Sequence, residues 1–487
     1  MPPLRILYAA SECAPLVKTG GLGDVAAALP VALRQLGVDA RVLLPGYPAV
    51  IAALPGARTL GRIDAIARLP AARVLATELP NGVPVWVIDC PVLYERDGGP
   101  YQDAGGADWG DNPLRFGLLS RSAALLASRA SPVGWRAQLI HANDWQTGLA
   151  PAYAAFAGNE ATPSIVTVHN LAFQGVFEPY WVAELGLPAS SFAVDGMEFY
   201  GRFSFLKAGL FYADAVTTVS PTYAEEIQQE PMGVGLHGLL ASRRDRLTGI
   251  LNGIDTTVWD PANDASIPVR YDAATLERKA ANKRALQIRF GLATLPGIPL
   301  LGLVTRLTAQ KGLDLLLDIA DEVLALPAQL VIVGTGDKAL EARLAKISEA
   351  RRGCAGSFIG FDETLAHLVE AGSDAFVMPS RFEPCGLNQM YSQRYGTPPI
   401  VHATGGLVDS VVDCTAKSLA DGSATGFKFF SPDAGALMGA IKRCVAAYAD
   451  AAAWRALQRH GMAKDFGWDA AACGYAAIYA RLVRDQG

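Results

Sequence analysis

Short apolar, β-branched runs alternate with helix-length stretches along this chain, and the alternation starts twice. "RILYAA" (5–10), "ARVLLP" (40–45), "VPVWVID" (83–89), "LIHAND" (139–144), "SIVTVHN" (164–170) and "AVTTVS" (215–220) form a first series. Helix patterns lie between them, at 22–36, 112–130 and 146–157. "PLLGLVTRL" (299–307), "AQLVIVG" (328–334), "GSFIGF" (356–361), "DAFVMPS" (374–380) and "PPIVHA" (398–403) form a second, with helical stretches such as 312–325 and 337–350. Continuous apolar runs of this length predict parallel strands buried on both faces. Strand and helix in alternation predict a doubly wound α/β sheet, and two series predict two Rossmann-like domains. The 487 residues agree, since a single core rarely grows past about 250–300. The break is expected between 252–261 and 298–303, giving ranges of 1–256 and 257–465, with 466–487 as one amphipathic helix. No low-complexity linker separates the halves, so closely packed domains with a hinge are expected.

The remaining bulk properties exclude several classes. A net charge of −5, with both signs mixed along the chain, offers no footprint for nucleic acid. The seven cysteines are scattered, none in a CxxC pair, which disfavours a zinc site and suits a reducing compartment. Apolar runs are broken well before the ~20 residues needed to span a bilayer. The first residues read as a buried strand, not a leader. A cytoplasmic protein with no membrane partner and no metal or other cofactor is expected.

In open α/β sheets, ligands bind beyond the carboxyl ends of the strands. Four stretches fall there. In "KTGGLGDV" (18–25), glycines at a strand-to-helix turn let backbone N–H groups approach an anion, and Lys18 adds a full charge. The alternative is a plain βα turn with a solvated lysine. In "TVHNLAFQG" (167–175), His169 and Asn170 follow a buried strand and can reach a ligand, or His169 is a structural histidine satisfied by backbone. In "VTRLTAQKG", Arg306 and Lys311 flank a helix start and suit a diphosphate, or they form a salt-bridged surface turn. In "SRFEPCGLNQMY" (380–391), Glu383 can orient sugar hydroxyls while the amides of Cys385, Gly386 and Leu387 hold sugar or phosphate oxygens. The alternative there is an ordinary helix cap. "TGGLVDSV" (404–411) repeats a glycine turn before a helix, with Thr404, Gly405 and Gly406 in it. There is no GKS/T, no DFG-like metal aspartate and no ligand cluster. Together these predict a nucleotide-diphosphate ligand in an interdomain cleft, neutralised by Lys18, Arg306 and Lys311.

These motifs, with "HANDWQTGLAPAY" (141–153), "SPTYAEEI" (220–227), "NGID" (252–255) and "GTGD" (334–337), run in one order over nearly the whole chain. In that order the chain resembles the bacterial glycogen synthases, retaining ADP-glucose-dependent glucosyltransferases related to the plant starch synthases. The resemblance implies a GT-B fold, two Rossmann-like domains facing a deep cleft. It implies glucose transfer from ADP-glucose to the non-reducing end of an α-1,4-glucan such as glycogen. By match, Lys18, Gly20, Gly21 and Asp24 belong to the donor loop. Arg306 and Lys311 hold the diphosphate, the carbonyl of His169 lies near the anomeric carbon, and Asn252 and Glu383 contact glucosyl hydroxyls. Asp144 and Trp145 line the acceptor side, Asn170 is a substrate-binding residue, and Tyr94 falls on a matching active-site position. The family also implies a C-terminal helix that crosses back to the first domain.

The chain departs from the family pattern at Asn388 (commonly Thr), Ala403 (commonly Arg) and Phe361 (commonly a Tyr stacked on adenine). Tyr391 stands where the wider group of retaining transferases carries a second Glu. These differences bear on donor affinity and base preference. Competing readings are a transferase using UDP-glucose, a phosphorylase, which would need a pyridoxal-binding lysine motif not found here, an inactive glucan-binding homologue, and a plastid starch synthase, which would carry a transit peptide.

Overall fold

The computed structural model describes residues 3–157 and 162–485. The outermost residues of the expected ranges, 1, 2, 486 and 487, lie outside these. The chain divides into two units, Met1–Gly253 with Trp468–Gly487, and Ile254–Gly467. Among the described residues no helix is long and apolar enough to cross a membrane.

The first unit contains β1 (Arg5–Ala9), β2 (Asp39–Pro45), β3 (Arg58–Ile63), β4 (Ala72–Glu78), β5 (Pro84–Asp89), β6 (Leu139–Asn143), β7 (Ser164–Val168), β8 (Val176–Phe177), β9 (Glu198–Phe199), β10 (Arg202–Ser204), β11 (Ala215–Thr218) and β12 (Leu247–Gly249). Nine of them form one sheet in the order β12-β11-β7-β6-β1-β2-β5-β4-β3, and β8, β10 and β9 make a small separate sheet. All six strands expected from sequence are present, and β6 and β7 are buried at every residue. The β1–β2, β1–β6 and β6–β7 pairs are parallel. The sheet ends differently from the expected parallel series, because β4 and β3 add as an antiparallel edge beyond β5. These two strands are half exposed and carry Arg58, Arg62 and Arg73, so they lack the apolar run that marks a strand covered on both faces.

The second unit contains β13 (Leu300–Val304), β14 (Gln329–Gly334), β15 (Ala355–Ile359), β16 (Ala375–Met378), β17 (Pro399–His402) and β18 (Phe427–Phe429), in the order β15-β14-β13-β16-β17-β18. Every pair is parallel. Leu301, Leu303, Leu330, Ile332 and Val377 face one core, while Leu300, Val331, Val333, Phe376 and Met378 face the other. That period-two division fills both faces of the sheet with apolar side chains, each burial contributing roughly 1.5–3 kcal/mol. Two expected helices are broken. The 312–325 stretch forms Leu313–Asp318 and Ala320–Ala325, and the 146–157 stretch forms a 3-10 turn, Trp145–Thr147, and a helix, Ala150–Ala155.

The last helix, Asp469–Arg484, belongs to the first unit and packs against the helix Gly21–Gln35. The Tyr479 hydroxyl lies 2.6 Å from Nδ1 of the fully buried His141, whose Nε2 lies 2.6 Å from Thr167 Oγ1. Burial holds the His141 imidazole well below its usual pKa, so this ring is neutral and satisfied on both nitrogens.

Each large sheet has a place where the chain crosses from one side of its first strand to the other. In the first, β2 and then β3, β4 and β5, laid from the edge back to β2, fill one side of β1, and the chain then crosses to lay β6 on the other side. In the second, it builds β13, β14 and β15 and returns to lay β16 beside β13. The strand ends at such switch points open a crevice, because the two flanking connections leave on opposite faces.

Candidate functional site

The first-unit switch point carries the loop between β1 and the helix Gly21–Gln35 and, beyond β6, Asp144. Lys18 is exposed, and its Nζ pairs with Asp24 Oδ1 at 2.7 Å. Gly20 is the N-cap residue of the helix, with no side-chain cap. The amides of Thr19 and Gly20 are already occupied: both donate to Oε2 of Glu12, at 2.5 and 3.1 Å. The turn therefore does not offer all its N–H groups to an incoming anion; those of Gly21 and Leu22 remain at the start of the helix. Glu12, buried at 3% exposure, was not singled out from sequence. An acidic residue inside the apolar run before the glycine turn was the available signal.

Asp144 follows β6 in a positive-φ conformation (φ 56°, ψ −171°), a strained one for a non-glycine residue. Its Oδ1 accepts the amides of His169 at 2.7 Å and Asn170 at 3.4 Å. Burial pushes its carboxyl up to about 7, against the pull of those two amides and with a further push from Glu12. The His169 side chain donates from Nε2 to Asn143 Oδ1 at 2.9 Å, a neutral tautomer fixed by that acceptor. Burial holds this imidazole down at about 3, so it is uncharged at neutral pH. Asn170 accepts the Ala172 amide on its own Oδ1. Asp144, His169 and Asn170 thus form one hydrogen-bonded group at the ends of β6 and β7. Asn143 was missed as its anchor because it reads as a buried strand residue.

Trp145 packs edge-on against Phe116 at 4.9 Å and near Phe177 and Phe205. Gly175 lies directly against it: a Cβ there would fall 2.3 Å from the indole ring, and φ is +58°. Tyr94 reaches the helix Asn112–Ala127, which also carries Phe116. It is fully buried, with its hydroxyl donating to the Arg115 carbonyl at 2.7 Å. Asn252 is 6% exposed and its Oδ1 has no partner among the described residues.

At the second-unit switch point Arg306 and Lys311 follow β13, and Lys311 reaches Glu383, which with Ser380 follows β16. Lys311 Nζ meets Glu383 Oε2 at 2.5 Å, and Ser380 Oγ donates to the same oxygen at 2.9 Å. The pair is largely dry, at 18% and 7% exposure. Arg306 is exposed, and its guanidinium has no ion pair or hydrogen bond among the described residues. The helix-cap alternative for Glu383 does not hold: the following helix, Asn388–Arg394, has Leu387 at its N-cap and no side-chain cap. Asn388 Nδ2 donates to the Val304 carbonyl at 2.9 Å, tying that helix to the end of β13. Cys385 is buried, while Gly386 and Leu387 are partly accessible. Thr404, Gly405 and Gly406 lie against this loop. The Gly406 amide donates to the Glu383 and Pro384 carbonyls, each at 3.2 Å. A Cβ at Gly405, where φ is +45°, would fall 2.1 Å from the Glu383 carbonyl oxygen. Phe361 stands apart from this group, 75% exposed beyond β15.

Chemically, the described residues at this switch point include Arg306, with no side-chain partner, Lys311, shared with a buried carboxylate, and backbone amides. That set can hold a polyanion and direct a carboxylate at hydroxyl groups. Among the described residues no group of three or more His, Cys, Asp or Glu could hold a metal ion.

A family model described as "Starch synthase catalytic domain" matches residues 5–242, and one described as "Glycosyl transferases group 1" matches residues 287–456. A protein named glycogen synthase from Nitrosomonas eutropha is 54% identical over 485 residues, 99% of this chain and 97% of that protein. Its counterpart in Aromatoleum aromaticum is 56% identical over 480 residues, 98% of this chain and 97% of that protein. Among solved structures, the catalytic domain of starch synthase IV from Arabidopsis thaliana, bound to ADP and acarbose, superposes with a TM-score of 0.87 at 31% identity, covering 99% of this chain and 100% of that one. Sucrose-phosphate synthase from Thermosynechococcus elongatus shares the fold at a TM-score of 0.60 and 20% identity, over 99% of this chain and 100% of that one.

Proposed function

The chain belongs to the glycogen synthase family, and from that premise we propose that it transfers glucose from ADP-glucose to the non-reducing end of an α-1,4-glucan with retention of configuration. One observation carries the assignment: at the β13/β16 switch point Lys311 meets the buried Glu383, and the exposed Arg306 follows the same strand, β13. Breaking the glycosidic bond builds negative charge on the departing diphosphate and positive charge on the sugar. Arg306 and Lys311 take the diphosphate, where fixed cations stabilise the transition state more than the ground state. Glu383 and Asn252 hold the glucosyl hydroxyls, and the unpaired Oδ1 of Asn252 supports this, since a buried acceptor without a partner is costly unless a ligand supplies one.

In the first unit, Lys18 adds a third cation for the donor, and release from Asp24 accompanies that role. His169, neutral and pinned to Asn143, is unsuited to proton transfer near pH 7; its contribution is its carbonyl, which accepts no hydrogen bond among the described residues. Asp144 and Trp145 belong to the acceptor side, where an aromatic face suits a sugar ring. Phe361, exposed on the second unit, provides a flat apolar surface for adenine. Cys385, Gly386, Leu387, Thr404, Gly405 and Gly406 supply backbone around the sugar and phosphates. A cytoplasmic setting belongs to the same proposal and is supported by seven free thiols.

The test is direct. Incubation with glycogen and either ADP-glucose or UDP-glucose, reading nucleoside diphosphate release and the anomeric signal of the extended chain, should give ADP and new α-1,4 linkages. Release from UDP-glucose at an equal or greater kcat/KM would overturn the donor assignment, and β-linked product would overturn retention.

A further inference from the structure

We propose that Glu12 is a positioning residue for Lys18: its buried carboxylate fixes the β1 loop so that the lysine stands ready for the donor. The inference rests on the donor role given to Lys18 above. Four donors fill the two oxygens of Glu12. Oε2 takes the Thr19 and Gly20 amides at 2.5 and 3.1 Å, and Oε1 takes Thr19 Oγ1 at 2.6 Å together with the Tyr101 hydroxyl. A carboxylate has about four lone-pair sites, so it is saturated. Among the described residues no lysine or arginine forms an ion pair with Glu12, so neutral dipoles alone balance a charge that is 3% exposed.

This arrangement acts on Lys18 from both sides. The two residues that follow it are clamped by Glu12, and its own stem lies over Gly23, where a Cβ would come within 3.2 Å of Lys18 Cβ and Cγ. The clamp is anchored in turn. Tyr101 OH also lies 2.8 Å from Ser11 Oγ, and the Tyr101 carbonyl accepts Asn112 Nδ2 at 2.9 Å, at the start of the helix Asn112–Ala127. A negative group beneath a loop meant for a diphosphate is electrostatically adverse. The preset loop geometry offsets that repulsion, because an ordered loop does not have to be ordered again on binding.

Glu12→Gln keeps the shape but leaves only one acceptor oxygen, so one pair of donors must face an NH2 group. It should lower kcat/KM for ADP-glucose at least fivefold, chiefly through KM, with the KM for glycogen within twofold of wild type. Lys18→Ala should lower kcat/KM at least tenfold. The double variant Glu12→Gln/Lys18→Ala should match Lys18→Ala within twofold, since a residue that acts through Lys18 has nothing left to act on. Losses that multiply in the double variant would overturn the positioning role while leaving the donor role of Lys18 intact. A neutral Lys18→Ala would remove that donor role and this inference with it. If Glu12→Gln does not fold, Thr19→Val, which deletes one donor to Oε1 and keeps the side-chain volume, enters the same cycle with a loss of about threefold, and multiplication with Lys18→Ala again decides against.

Discussion

Lys311 and Glu383 should behave as one unit in stability and as two parts in catalysis. Each is held by the other at 2.5 Å, at 18% and 7% exposure. Removing one partner leaves an ion in a site built for a pair, which costs about 3–5 kcal/mol when buried. The residual access of Lys311 to water places these variants near the lower figure, about 3 kcal/mol for Lys311→Met. Glu383→Gln keeps an acceptor for Ser380 and should cost somewhat less, about 2 kcal/mol. The double variant should cost no more than the larger single change, about 3 kcal/mol, a coupling of about 2 kcal/mol or more. For a unit of this size each kcal/mol moves a melting midpoint by about 2–4 °C, so Lys311→Met should lose about 6–12 °C by calorimetry. In the reaction the roles separate. Glu383→Gln should lower kcat at least a hundredfold, about 2.7 kcal/mol, with a much smaller change in the KM for ADP-glucose. Additive stability losses in the double variant would refute the pair, and a folded Glu383→Gln enzyme with nearly full kcat would refute the sugar-holding role.

Gly175→Ala should destabilise the first unit by about 2–4 kcal/mol, because the added methyl meets the Trp145 ring and φ is +58°; a denaturant midpoint unchanged from wild type would contradict the contact. Asp144 sets a pH dependence: its carboxyl lies at about 7 when folded against roughly 3.9 unfolded, so its stability contribution is complete below the unfolded value and is lost as pH rises through 7, up to about 4 kcal/mol. Asp144→Asn should flatten that part of the stability–pH curve between pH 4 and 8, and an unchanged slope would assign it elsewhere. Tyr479→Phe strips the Nδ1 partner from buried His141 and should cost about 1–3 kcal/mol, read by urea unfolding; a neutral result would mean that this bond does not anchor the last helix.

What sequence made legible here follows burial on both faces. β6, β7 and β14 are buried at every residue and β13 at all but its last, and the largely apolar runs that such burial selects stand out in any reading. Arg306, Lys311 and Glu383 were legible for the related reason that polar groups just past a buried strand have somewhere to go. Pattern failed where burial was partial or partners were distant. β3 and β4 lie at the sheet edge and mix arginine with apolar residues. The stretch from 312 to 325 has helical periodicity throughout, yet the helix is interrupted at Ile319, which no local signal announced. Glu12 meets Tyr101 across 89 positions of chain, so its role is invisible to spacing. Tyr94 was named by motif alone, and its burial, with its hydroxyl on the Arg115 carbonyl 21 positions away, could not be read from spacing either.

The first unit is discontinuous in sequence, leaving off at Gly253 and resuming at Trp468. That ordering has a meaning for biosynthesis. When Gly253 leaves the ribosome, His141 is already present but Tyr479, which closes over its Nδ1, has not been made. Roughly 200 residues must be translated first, on the order of ten to forty seconds at about 5–20 residues per second. Through that interval the nascent first sheet lacks the Tyr475 and Tyr479 rings that pack on His141, leaving Tyr8 against it, while the second unit, continuous from Ile254 to Gly467, can complete its own fold. The unit begun first is therefore the one finished last, and a chaperone that shields His141 has its window of action before the final helix emerges.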